Sequence, residues 1–337
     1  MFISTFGAVE SGVLYSLMAL GVYLSFRVLD FPDLTVDGSF VTGAGVAAIM
    51  VVSGYPPLVA TMGAILAGFA AGCMTGLLHT KGKVNPLLSG ILMMIALYSI
   101  NLRIMGRSNV PLLNETTLFT EVRSFSESIG VDSFMNGLLS SMGISNLPRT
   151  WGILFIGFLI VLVVKFLTDY FLKTEVGLAL RATGDNKKMI RSFSANTDSL
   201  YIYGLGLSNA LVAFSGALVA QLGGFADVGM GIGMIVIGLA SVIIGEALFG
   251  TKTIARVTLA VIGGAIVYRI VVTLALRVDF LDTSDMKLIT AIIVIAALVT
   301  PKIIDAQKEK RRRFRKRAAL SKLQAASNGG GDHNARP

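Results

Sequence analysis

One feature constrains this chain more than any other. Runs of about twenty apolar residues recur along it, with polar segments between them. They lie at about 7–26, 36–53, 57–79, 85–105, 151–168, 200–222, 230–250, 257–276 and 287–304. A helix of that length crosses the hydrocarbon of a bilayer. Inside it every backbone amide must be satisfied without water, and a helix does this unaided. The sequence therefore predicts an all-α polytopic membrane protein with about nine transmembrane segments (8–10), some of them broken helices. Only 15% of the residues are charged, against about 25% in a soluble domain. The first run has no basic stretch before it and carries Glu10. It reads as a retained helix, not a cleaved signal peptide.

The net charge of +9 is concentrated at one place. Ten basic residues fall between Lys302 and Lys322, against only Asp305 and Glu309. Such a distribution speaks of orientation, not of nucleic acid. Arg27, Lys81, Lys83, Lys173, Arg181, Lys187, Lys188, Arg191, Lys252, Arg256 and the tail share one side if the N-terminus is outside and the C-terminus inside. The other face mixes Arg103, Arg107, Arg123, Arg149 and Arg277 with Glu115, Glu121, Glu127, Asp132, Asp279, Asp282 and Asp285. The expected division is a transmembrane domain over 1–305 and a basic, largely disordered cytoplasmic tail over 306–337. That tail either anchors the topology or binds anionic membrane lipid, at ~1 kcal/mol per basic residue.

Two spans are rich in glycine, and each opens beside an acid. One holds Asp37, Gly38, Gly43 and Gly45; the other follows Asp227 with Gly229, Gly231, Gly233 and Gly238. On this topology they run in opposite directions, as an inverted repeat would. Interrupted helices in corresponding halves line substrate paths, while glycines alone also serve close helix packing. Asp30, Asp33 and Asp37 bracket Pro32, where they line a path or simply cap and tie down the break, and Glu246 lies inside a span. An acid at membrane depth is costly and marks function by default. The candidate path is thus Asp33, Asp37, Gly38, Gly231, Gly233 and Glu246. Glu246 could instead pair with Lys252 or Arg256 near the inner end.

Several classes drop out. Cys73 is the one cysteine, and His79 and His333 stand far apart. No spacing suits a metal and no cofactor is implied. The run Gly245 to Thr253 is one residue too long for a phosphate-binding loop and follows no strand. No nucleophile, base and orienting group can be assembled, so an enzyme is not expected.

Two loops are long. The first, 106–150, is rich in Ser, Asn and Gly, with an apolar stretch at 134–144. It is an ordered surface segment or a docking surface for an external partner. The second, 173–199, contains Asp185 and Asn186, either of which could cap a short helix. Met189, Ile190 and Phe193 are expected on one face of that helix, turned toward a partner.

This second loop carries a resemblance. Gly177, Arg181-Ala182-Thr183, Asn186 and Asn196-Thr197-Asp198 resemble the cytoplasmic loop of ABC transporter permeases of the branched-chain-amino-acid type. The stretches Phe31 to Phe40 and Gly231 to Ala247 are similar to the branch that includes tryptophan-type permeases. The likeness covers roughly 1–305. Ser194-Ala195 departs from the family's Gly-hydrophobic pair, and the basic tail is no part of its pattern. The resemblance implies a fold like that of the vitamin B12-type importers, in a multi-pass protein of the bacterial inner membrane. It implies a homodimer, an ABC ATPase subunit on the cytoplasmic side and an extracytoplasmic solute-binding protein. Arg181, Ala182, Thr183, Gly184, Asp185, Asn186 and Asn196 would then form the ATPase-coupling loop. The solute would be an amino acid, aromatic or branched-chain. Two other readings remain: a secondary transporter using intramembrane acids, and a non-transporting membrane scaffold.

Overall fold

A computed structural model describes residues 2–141, 147–192 and 196–276, together with 288, 291, 292, 295 and 299. The chain divides into two compact units, Met1–Thr290 and Ala291–Pro337. The architecture below belongs to the first. Among the described residues, eight helices are long and apolar enough to cross a membrane. Most of the ninth apolar run, Arg277, Asp279, Asp282, Asp285 and the basic tail lie outside the described residues.

Helix α1 (Phe2–Tyr23) runs on through a π-helical turn, Leu24–Val28. A break around Pro32 precedes α2 (Thr35–Val52). Helices α3 (Pro57–Thr80) and α4 (Pro86–Met105) each open on proline, whose missing N–H is harmless in a first turn. Strand β1 (Asn109–Pro111) and helices α5 (Leu118–Ile129) and α6 (Val131–Ser141) fill the first long loop. Helix α7 (Gly152–Lys173) leads to α8 (Glu175–Asp185) and α9 (Lys187–Ser192), which fill the second. Then come α10 (Thr197–Gly223), β2 (Phe225–Asp227), a 3-10 turn over Val228–Gly231, α11 (Met234–Phe249) and α12 (Ile254–Ala275).

Helix α10 is the centre of the bundle and packs against α3, α2 and α1. Hydrophobic burial does little to join helices in lipid, so close approach through small residues does the work. Gly68, Gly72 and Gly76 lie one turn apart on α3. A Cβ at each would strike the α10 backbone at Asn209, Leu205 and Ile202. The same device joins α11 to α12, where Gly245 meets the Ala260 carbonyl and Gly264 the Ser241 carbonyl. Spans α1 and α2 are the most deeply buried and α4 the least.

The first long loop is ordered by hydrogen bonds. Thr117 and Thr120 form a reciprocal capping box at the start of α5. Asp132 accepts from the Trp151 amide at 2.7 Å, and the Trp151 indole donates to Asn136 at 3.1 Å. Strands β1 and β2 pair antiparallel, with Asn109 opposite Asp227 and Pro111 opposite Phe225. This ladder brings the chain after α4 to the interrupted segment before α11.

Candidate functional site

Helix α11 begins on Gly233, whose φ of +86° only glycine adopts freely. Glycine has no side chain with which to cap the amides behind it. The cap comes from α2. One carboxylate oxygen of Asp37 accepts from the Gly233 amide at 2.9 Å and the other from the Ile235 amide at 2.8 Å. A carboxylate at the positive end of a helix is favourable both as hydrogen-bond acceptor and as charge. The contact needs the backbones close. Gly231 rests on the Asp37 carbonyl, where a Cβ would collide, and Gly38 lies against Leu97. The two glycine-rich segments paired in the sequence therefore meet in space, and Asp37 joins them.

A cavity of about 580 Å³ opens beside this junction, between α2, α4 and the 3-10 turn. Asp37, Gly38, Val41, Tyr98, Asn101 and Gly231 are among the residues that line it. Asn101 is 1% exposed. Its oxygen accepts from the Thr42 hydroxyl at 2.8 Å and its amide donates to the Gly38 carbonyl at 3.0 Å. Nothing in the sequence reading selected Asn101. The available signal was an amide in the middle of an apolar span.

Asp33 lies outside the cavity, in the break before α2, and is fully buried. One oxygen accepts from the Thr35 amide at 2.9 Å and the other from the Asn209 side chain at 2.7 Å. Burial pushes its carboxyl above the ordinary range, and the bonds from Thr35 and Asn209 partly offset this. Asp33 thus ties α2 to α10. Glu246, near the far end of α11, forms a two-pronged ion pair with Arg27 of the π-turn; its Nε donates at 3.0 Å. The partner is not Lys252 or Arg256. The end of α11 packs against α1, which sets Arg27 opposite Glu246 across 219 positions of sequence.

The second long loop sits at the end of the bundle where α7 finishes and α10 starts. Thr174 caps α8, accepting from the Gly177 amide at 3.3 Å. Thr183 is buried and donates to the Ala179 carbonyl at 2.7 Å. Gly184 presses on the Val28 carbonyl of the π-turn, where a Cβ has no room. Arg181 and Ala182 are half-buried, and Asp185 and Asn186 are exposed. Asn186, of the two expected caps, accepts from the Met189 amide at 3.1 Å and starts α9. Asn196 caps α10 through the Asp198 and Ser199 amides, both at 3.2 Å.

Met189 and Ile190 do not share a face: Ile190 is buried and Met189 is exposed. Neighbours on a helix point about 100° apart, since it turns once in about 3.6 residues. Phe193 lies outside the described residues. Lys187 stands over the Tyr201 ring at 4.5 Å. Burial lowers its ammonium pKa, the Arg191 charge adds to this, and Asp198 partly opposes it. Among the described residues no group of three metal-ligating side chains comes together.

Residues 4–298 match the family described as branched-chain amino acid transport system / permease component. A tyrosine transport system permease protein of Clostridioides difficile (strain R20291) is 45% identical over 288 residues, covering 86% of this chain and 88% of that protein. An uncharacterized protein of Rickettsia prowazekii (strain Madrid E) is 32% identical over 299 residues, covering 88% and 96%. Among solved structures, a chain of PsaBC from Streptococcus pneumoniae in complex with Fab gives a TM-score of 0.49 at 11% identity, covering 88% and 89%.

Proposed function

The chain belongs to the family of branched-chain amino acid transport permeases, and from that premise we propose that it imports an amino acid by coupling to a separate ATPase through 173–199. It is the multi-pass permease of an ABC importer in the bacterial inner membrane. An aromatic amino acid is the first candidate solute, in keeping with the tyrosine permease among its relatives. A solute-binding protein docks on α5 and α6, and a second copy of the chain faces the cavity across α4, so that the cavity mouth opens on the path between the two copies. The observation that carries this reading is the way α11 is held. Asp37 grips one end beside the cavity, and Arg27 grips the other beside the turn that seats Gly184. Motion of α8 therefore acts on the same turn that holds α11, and α11 moves against the cavity. This is a shift between two states, driven by unequal binding of the partner to each.

A secondary transporter would need free intramembrane acids. Asp37 and Glu246 are both engaged in holding helices, which favours the permease. The experiment is an affinity pull-down from native membranes followed by mass spectrometry. An ABC ATPase is expected to copurify and to be lost when Arg181 and Asp185 are both changed to Ala. A chain that comes down without any ATPase would overturn the proposal.

A further inference from the structure

We propose that the cavity beside Asp37 selects solutes by their side chain, taking an aromatic ring inward, with Tyr98 at its mouth as the specificity residue. This rests on the reading of the chain as an amino-acid permease. The argument begins with which polar atoms are free. At the floor, both Asp37 oxygens hold α11 amides. Asn101 is bonded through its oxygen and through one of its two N–H groups, and the single Thr42 hydroxyl proton is shared between the Asn101 oxygen and the Gly38 carbonyl. The floor therefore keeps little polar capacity, one Asn101 N–H and the remaining Asp37 lone pairs, enough for the single hydroxyl at the tip of a phenol ring. A carboxamide brings two donors and an acceptor, more than that floor can pair, and burying them unpaired is costly, so glutamine is disfavoured there.

The walls point the same way. Val41, Met94, Ile95 and Ile232 leave apolar surface toward the space, and Tyr98 adds a ring. A thioether and an aromatic ring both make favourable contacts with a second ring. At about 580 Å³ the cavity falls within the range of small-molecule sites, about 300–1,000 Å³. Its mouth differs from its floor. Tyr98 is 53% exposed, and no hydrogen bond to its hydroxyl occurs among the described residues. Ser99 beside it is exposed too. The arrangement orients the solute. The ring enters, and the charged amino and carboxylate groups stay at the mouth, within reach of two hydroxyls. The permease thereby discriminates by shape with weak binding, in addition to any selection made before the solute arrives.

The test is ligand-observed saturation-transfer NMR on the purified full chain in nanodiscs, with L-tyrosine, L-leucine and L-glutamine as probes. The tyrosine ring protons are expected to saturate more strongly than its α proton, with glutamine at background. Ile95 lies on the exposed side of α4 at 59%, so Ile95→Trp fills the cavity without disturbing the helix core. It should cut the tyrosine signal roughly tenfold. Tyr98→Ala should weaken tyrosine more than leucine, and it serves as the second variant if Ile95→Trp folds poorly. Equal saturation of ring and α protons, a glutamine signal matching tyrosine, or no response to either variant would overturn the inference. Copurification of the ATPase is read separately, so the pocket can fail while the permease reading stands.

Discussion

Asp37 does for α11 what that helix cannot do for itself. A helix start leaves amides without partners, and Gly233 brings no acceptor of its own. In lipid the cost of leaving them free rises, because water is absent. Asp37→Ala is therefore expected to cost about 1 kcal/mol, the usual worth of a cap. That corresponds to a fall of about 2–4 °C in Tm for a domain of about 200 residues, and less for a longer chain. Transport should fall further than stability, since the lost cap also frees α11 from the cavity wall. Asp37→Asn keeps one acceptor and should land between wild type and Asp37→Ala. Thermal unfolding in detergent, paired with radiolabelled tyrosine uptake, checks this. If Asp37→Ala matched wild type in both, the cap would be incidental. Asp37 itself could be picked out from sequence, as an acid at the head of a glycine-rich span. Its partners could not, because the Gly233 amide lies 196 positions away and the bond depends on backbone placement.

At the scale of elements, α7 links the two long loops and carries a polar anchor of its own. Lys165 and Asp169 stand one turn apart, 2.5 Å between charged atoms, and are 4% and 5% exposed. The Thr258 hydroxyl of α12 donates to the other Asp169 oxygen at 2.6 Å. Removing one member of a buried pair strands the other, at about 3–5 kcal/mol. Replacing both with apolar residues of like size is often close to neutral. Lys165→Met alone should thus abolish or sharply reduce folded protein, while Lys165→Met with Asp169→Leu should recover it. Size-exclusion of solubilised protein reads the outcome directly. A double variant as poorly folded as the single one would sink the argument. The apolar run of the sequence ends at about 168, just before Asp169, so hydropathy alone does not bring the pair together. A lysine four residues ahead of an acid was the signal. The spans were legible because hydropathy alone specifies them. Helices α5 and α6 were not, since their order depends on caps and on Trp151 reaching Asp132 and Asn136. Glu246 shows the same limit: reasoning along the chain offered Lys252 and Arg256, and the fold supplied Arg27.

For the whole molecule the decisive question is which way it faces. The end bearing α8 and α9 collects Lys81, Lys83, Lys173, Arg181, Lys187, Lys188 and Arg191. The loop carrying α5 and α6 balances Arg107, Arg123 and Arg149 with Glu115, Glu121, Glu127 and Asp132. Basic residues in short loops stay in the cytoplasm, which predicts α8 and α9 inside and α5 and α6 outside. The chain makes this easy to measure, since Cys73 is its one cysteine. In a Cys73→Ala background, Lys188→Cys and Glu127→Cys each place a single thiol at a position where the side chain is exposed. A membrane-impermeant maleimide applied to intact spheroplasts should label Glu127→Cys at once. It should reach Lys188→Cys only after permeabilisation. The reverse pattern would put the proposed coupling loop on the side without ATP and the proposed docking helices on the side without a binding protein. The importer assignment needs both loops on their proper sides, so this labelling tests orientation and mechanism together.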